Sequence, residues 1–216
     1  MLTEDALRTK PTLHGQQVVL RPLGPEHADD FWRSLSDPEV RRLTGTHTEF
    51  RRHDIDTWLA NRSEQHDRLD LAIHRRDDGQ YIGELALNEL DPTNESAGVR
   101  IALTSTAIAG KGYGSDAMRT ILAHAFDTVR IHRIHLDVYA FNTHAIRTYE
   151  RLGFTHEGRA RDALNWDGIR HDALLMSMLR PEWNAAHPRH RNPTSRPQDT
   201  AVADTQPARD QDKDRS

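Results

Sequence analysis

Two hydrophobic periods alternate along this chain. Apolar residues spaced for strands occupy Gln16–Arg21, Leu69–Arg75 and Tyr81–Leu90, the last two flanking the turn Asp77-Asp78-Gly79. Ala97–Leu103 alternates strictly, with Val99, Ile101 and Leu103 on one face, and Ile134, Leu136, Val138 and Ala140 repeat that period. Two further strands are predicted near Thr155–Trp166 and His171–Leu179 around Asp167-Gly168, with Pro181 stopping the last. The helical period appears in Pro25–Ser36, where Ala28, Phe31, Trp32 and Leu35 form one stripe. Asp37-Pro38 opens a short helix through Leu43, and Asp54–His66 turns Ile55, Trp58 and Leu59 inward. Ser115–Thr128 carries Ala117, Met118, Ile121, Leu122, Ala125 and Phe126 at helical spacing. Thr143–Leu152 is a helix closed by Gly153. Early antiparallel strands and one strand–helix–strand crossover over 97–140 predict an α/β fold. Its mixed, largely antiparallel central sheet carries helices on both faces.

Composition sets the limits of the folded unit. All five Phe, four Trp and four Tyr lie before residue 184, and residues 184–216 offer only Ala and one Val as apolar residues. That segment cannot bury enough surface to offset its backbone entropy, so one domain over 1–183 and a disordered tail over 184–216 are expected. With no Cys in 216 residues, disulfides, a cysteine nucleophile and thiolate metal sites are excluded. The net charge of −4 argues against a general nucleic-acid binder. Residues 1–12 lack an apolar leader core, and no run approaches the ~18 apolar residues of a membrane span. A cytoplasmic protein with no membrane partner is expected, as a monomer or homodimer.

The most informative loop is Ala109-Gly110-Lys111-Gly112-Tyr113-Gly114-Ser115-Asp116, between a strand and a helix N-terminus. Alternating glycines let a ligand approach the backbone, and the helix start offers unpaired N–H groups and a positive dipole end. This arrangement suits phosphate. The dinucleotide pattern G-x-G-x-x-G fails at Ser115, and the Walker pattern fails because Gly110-Lys111 is followed by Gly112. On its own the loop is equally an ordinary strand–helix turn.

A second element follows at Asn142-Thr143-His144-Ala145-Ile146-Arg147-Thr148-Tyr149-Glu150-Arg151-Leu152-Gly153-Phe154. Together the two elements resemble the GNAT superfamily of N-acetyltransferases. Gly112 and Gly114 match its pyrophosphate loop, [QR]-x-x-G-x-[GA], and Ala109 stands where the family usually has Gln or Arg. The second stretch is similar to the family's N-x-x-A-x-x-x-Y-x-x-x-G-F helix. The ending Asp167–Met176 and the opening Leu20-Arg21-Pro22-Leu23 resemble its branches similar to ribosomal-protein alanine N-acetyltransferases and spermidine N-acetyltransferases. The resemblance covers about residues 16–183. It implies the GNAT fold and transfer of an acetyl group from acetyl-CoA to a primary amine, either a protein α-amine or a small-molecule amine or polyamine. It further implies direct attack in a ternary complex.

The resemblance also implies roles. Backbone groups of Ile101, Ala102 and Leu103 would pair with the pantetheine arm, and Gly110, Lys111, Gly112, Tyr113, Gly114 and Ser115 would hold the pyrophosphate. Asn142 would contact the donor; it is equally suited to capping the helix it precedes. Tyr149 would be the general acid, or else an ordinary core tyrosine. A thiolate pKa near ~8.5 against ~10 for Tyr makes that transfer uphill by about 2 kcal/mol in water. A Lys-like amine costs about 4 kcal/mol to deprotonate at neutral pH and an α-amine about 1, so a base matters most for the former. Glu84 and Glu95 are the candidate bases, and both are also suited to solvated surfaces. No metal site is expected: H-E-x-x-H is absent, and His132 and His135 fall on opposite faces. The rival readings are a non-catalytic acyl-CoA-binding regulatory module and a nucleotide-binding domain.

Overall fold

The computed structural model describes residues 2–188. Eight strands form one sheet: β1 (Leu13–His14), β2 (Val18–Pro22), β3 (Leu69–Arg75), β4 (Tyr81–Asp91), β5 (Ser96–Leu103), β6 (Arg133–Tyr139), β7 (Thr155–Trp166) and β8 (Ile169–Leu179). Their order is β1-β2-β3-β4-β5-β6-β8-β7. Every neighbouring pair is antiparallel except β5 with β6. The expected mixed, largely antiparallel sheet is therefore observed.

Strand alternation builds two cores. Leu69, Leu71 and Ile73 of β3 enter one cluster, whereas Ala72 between them enters the other. The first core lies under α4 (Tyr113–Ala123), α5 (Thr143–Leu152) and α6 (Arg180–Ala186). The second packs against α1 (Ala28–Ser34) and α3 (Arg52–Ala60), through Phe31, Ile55 and Leu59. The short helix α2 (Pro38–Thr44) is capped by Asp37, whose carboxylate accepts from the Glu39 and Val40 amides, and ends at Gly45.

The ends of several elements differ from expectation. The Ser115–Thr128 stretch is α-helical only to Ala123 and continues as a π-helical turn, His124–Val129. That widening lets Ala125 and Phe126 stay fully buried. The helix expected over Asp54–His66 ends at Ala60, followed by a 3₁₀ turn at Arg62–Glu64. Pro181 does more than end β8: it sits in the first turn of α6, where a missing N–H costs nothing. Trp183 of that helix is 1% exposed, stacked on His187 and packed near Phe126. Helix α6 thus runs three residues past the boundary expected at 183, and residues 189–216 of the tail expected over 184–216 lie outside the described residues. No helix among the described residues is long and apolar enough to cross a membrane.

Candidate active site

The parallel pair creates the opening. β5 and β6 share only Ser96↔Arg133, Ala97↔Ile134 and Gly98↔His135. Beyond Gly98, β5 follows β4 as far as Gly83↔Leu103, and β6 follows β8 as far as Tyr139↔Ala173. The sheet therefore parts into a V whose closed end is Gly98 and His135. Unpaired backbone groups edge its walls, and such edges accept an added extended segment. Near this point β4 loses register between Asn88 and Asp91, and Glu89 takes a left-handed conformation at φ 50°. Irregularities of this kind increase local twist and re-aim side chains.

Two cavities open from the V. The first, of about 300 Å³, is bounded by Val40 and Leu43 of α2, Ile101, Ala102 and Leu103 of β5, and the start of α4. Gly110, Gly112, Gly114 and Ser115 are in its wall, as are Asn142 and Tyr149 of the α5 region. Gly112 caps α4 at φ 90° and Gly110 sits at φ 78°, so both positions favour glycine. The loop is fixed from beneath: the buried carboxylate of Asp116 accepts from the Gln17 and Val18 amides at 2.7 and 3.1 Å. Loop amides at a helix N-terminus, over an apolar trough, match the needs of a pyrophosphate with a thin apolar arm. Acetyl-CoA therefore fits this wall by its chemistry. Of the residues the sequence proposed, Lys111 is exposed and Tyr113 packs against the main core; neither lines the cavity. His144 and Arg151, to which the sequence assigned no role, do line it, and Arg151 adds a cationic side chain.

The second cavity, of about 350 Å³, shares Leu43, Thr44, Ile101, Asn142 and Tyr149 with the first. Its remaining wall is mostly polar, with Asn88 and Glu89 of β4, Arg100 of β5, and His135, Asp137 and Tyr139 of β6, beside Thr46 and the apolar Val99, Leu136 and Val138. Tyr149 thus stands between two chemically different spaces. Burial, with a smaller push from Asp137, raises its hydroxyl pKa to about 12. It stays a proton donor at neutral pH.

The two proposed bases are placed differently. Glu84 pairs in register with Ala102, one step behind the cavity wall, and lines neither cavity. It is 16% exposed, and its nearest cation is Arg100 at 3.9 Å. Its buried Oε2 and the buried hydroxyl of Tyr81 have no hydrogen-bond partner other than each other. Burial pushes the Glu84 carboxyl up to about 7, against the pull of Arg100. Glu95 lies at the closed end, where its backbone oxygen accepts from the His132 and Arg133 amides. It lines neither cavity. Glu89 and Asp137, absent from the sequence-based candidates, line the polar one, as does His135, which the sequence offered only as a metal ligand.

Comparison with known proteins agrees with this geometry. Residues 17–155 match the family model described as an acetyltransferase (GNAT) domain. The chain is 25% identical over 173 residues to the SPbeta prophage-derived uncharacterized N-acetyltransferase YokL of Bacillus subtilis (strain 168), covering 80% of this chain and 96% of that protein. It is also 25% identical over 122 residues to the spermidine N(1)-acetyltransferase of Escherichia coli (strain K12), covering 56% and 65%. Among solved structures, the spermidine N-acetyltransferase from Vibrio cholerae in complex with CoA and spermine superposes with a TM-score of 0.72 at 19% identity, covering 77% of this chain and 98% of that one. That last likeness is one of fold. With a V-shaped sheet, a glycine loop and matched relatives along most of its length, the chain belongs to the GNAT acetyltransferase family and is an N-acetyltransferase.

Proposed function

We propose that this enzyme acetylates a primary amine by direct attack on acetyl-CoA, with donor and acceptor held together in one complex. The observation that supports this is the pair of cavities meeting at Tyr149. One is apolar with a phosphate cradle, and the other is polar with two carboxylates, Glu89 and Asp137, facing Arg100 and His135. The absence of cysteine leaves no thiol to carry the acetyl group between substrates.

In this reading the arm of the donor extends β5 along Ile101, Ala102 and Leu103, and the Gly110–Ser115 amides hold the pyrophosphate. The amine nitrogen forms the new C–N bond as the C–S bond breaks. Tyr149 gives its proton to the departing sulfur. With Tyr149 near 12 and a free thiol near ~8.5, that step would be uphill by about 5 kcal/mol in water. The apolar wall narrows the gap, because burial disfavours a bare thiolate as it does a phenolate.

A thiol-release assay with acetyl-CoA against a panel of peptide α-amines, monoamines and polyamines tests the reading. At least one class is expected to turn over, and Tyr149→Phe is expected to lower its kcat by about 10²–10⁴ with little change in the KM for acetyl-CoA. CoA binding without transfer to any amine would instead favour a regulatory acyl-CoA-binding module. A Tyr149→Phe kcat within threefold of the parent would leave water or the amine as the proton donor.

A further inference from the structure

Three polar side chains from two strands converge on one point of the acceptor cavity. Gly98 is the last residue of β5 paired with β6, and its partner is His135. A methyl group added at Gly98 would lie 2.9 Å from Asn88 Oδ1, 3.4 Å from Glu89 Oε2 and 3.5 Å from His135 Nε2. The missing side chain leaves a hollow that these three groups rim. His135 Nε2 and Glu89 Oε2 are 3.2 Å apart. Glu89 reaches this position from a non-glycine residue at φ 50°, where β4 breaks register. Such backbone costs on the order of 1–3 kcal/mol and persists where surrounding structure enforces it. All three side chains belong to the wall of the polar cavity.

Resting on the acetyl-transfer reading above, we propose that His135, oriented by Glu89, is the base that takes the proton from the acceptor amine. Nε2–H donates to the Glu89 carboxylate, which fixes the tautomer and leaves the lone pair on Nδ1. The amine passes one proton to Nδ1 as its nitrogen bonds to the acetyl carbon; the C–S electron pair leaves with sulfur, which Tyr149 protonates. The His135 side chain is 35% exposed, so the imidazolium returns its proton to water. The groups around it are Glu89 of β4, Arg100 of β5, Arg133, Asp137 and Tyr139 of β6, and Glu157 of β7, which Ser177 of β8 holds by donating to Oε1 at 2.7 Å. Glu84, by contrast, lies behind the wall.

The test is the pH profile of kcat/KM for H135Q and E89Q with an amine that the parent acetylates. The Gln amide can still donate to Glu89 but offers no basic nitrogen. At pH 7, H135Q is expected to lose about 10²-fold, the usual scale for general-base removal. The deficit is expected to shrink steadily toward pH 10, where free amine is abundant without help. E89Q is expected to lose about tenfold, the lower end for partners that orient an imidazole. Calorimetric CoA affinity within twofold of the parent and an unchanged melting temperature separate this from misfolding. An H135Q kcat/KM within threefold of the parent across the pH range overturns the proposal. So does a uniform loss with unaltered pH profile, which marks a structural role. A hundredfold loss in E84Q beside a near-normal H135Q gives the role to Glu84. A parent that binds CoA but transfers nothing overturns the underlying reading, and the proposal with it.

Discussion

The two sides of Tyr149 are built by opposite means. On the proposed reading the first cavity is the donor side, and it is made from backbone. Its chemistry is the direction of N–H groups in one contiguous loop and the bare edge of β5, and glycines at 110 and 112 set its shape. The acceptor side is made from side chains, drawn from β4, β5 and β6 and brought together only by strand register. A backbone cradle suits a ligand that does not vary, because every peptide offers the same donors. A side-chain wall can be rewritten one residue at a time without disturbing the sheet. The difference predicts that substitutions on the donor side act through conformation and those on the acceptor side through charge.

The sharpest way to break that distinction is at Gly112. Gly112→Asp forces a side chain onto φ 90°, and its Cβ would sit 2.8 Å from Gln17 Nε2. It also places a carboxylate where phosphates dock. CoA affinity is expected to fall at least a hundredfold, equivalent to roughly 2.7 kcal/mol. The strain itself costs about 1–2 kcal/mol, leaving the protein folded. Calorimetry on a variant with native circular dichroism decides this: unchanged affinity would mean the loop does not hold the pyrophosphate.

The same contrast explains what could be read in the sequence. The glycine loop, the α4 and α5 periods and the Tyr149 position are local signals, so the wall of the first cavity and the sheet's general character were legible. The closed end of the V was not, because pairing of Gly98 with His135 is a long-range register. His135 and Asp137 look like solvent-face residues of an alternating strand, and Glu89 like the end of a hairpin strand. A glycine inside the strict alternation of Ala97–Leu103 was the available clue, since glycine in a strand often marks a close approach. Glu84 is expected at the cleft because it shares the right strand; its register with Ala102 puts it one strand away from the cavity wall. The start of α6 is not legible locally, because Pro181 suits both the end of a strand and the first turn of a helix.

A second way to sharpen the comparison is the buried carboxyl behind the acceptor wall. The Glu84 pKa is near 4.5 in the unfolded chain and about 7 in the fold. Below pH 4.5 the group is protonated in both states. As pH rises to 7 the unfolded chain releases a proton that the folded protein keeps, and above 7 the fold must carry a buried charge. Stability from this group is therefore full at acid pH and lost as pH rises through 7. The 2.5-unit difference corresponds to roughly 3 kcal/mol. Glu84→Gln removes this dependence, so its stability relative to the parent is expected to climb by up to that amount between pH 5 and pH 8. Parallel urea-unfolding curves for parent and variant over that range would refute burial of an ionisable group here.

The smallest expected effect lies on the border, at Asn142, which belongs to both walls. Its Oδ1 accepts from the Ala145 amide at 3.2 Å and so caps α5, the helix that carries Tyr149. The cap uses the oxygen alone and leaves the amide hydrogens available to a ligand. Asn142→Ala is expected to lower the melting temperature by about 2–4 °C, the equivalent of a lost cap worth about 1 kcal/mol in a protein of this size. Asn142→Ser restores the capping oxygen without the amide donors, and its melting temperature is expected to stay within about 1 °C of the parent. If the amide also bonds the donor, both variants should raise the KM for acetyl-CoA by roughly threefold, the scale of one neutral hydrogen bond. A KM that rises in the alanine variant and recovers with serine would assign Asn142 to the helix alone. The effect on the donor would then be conformational, as the backbone-built side requires.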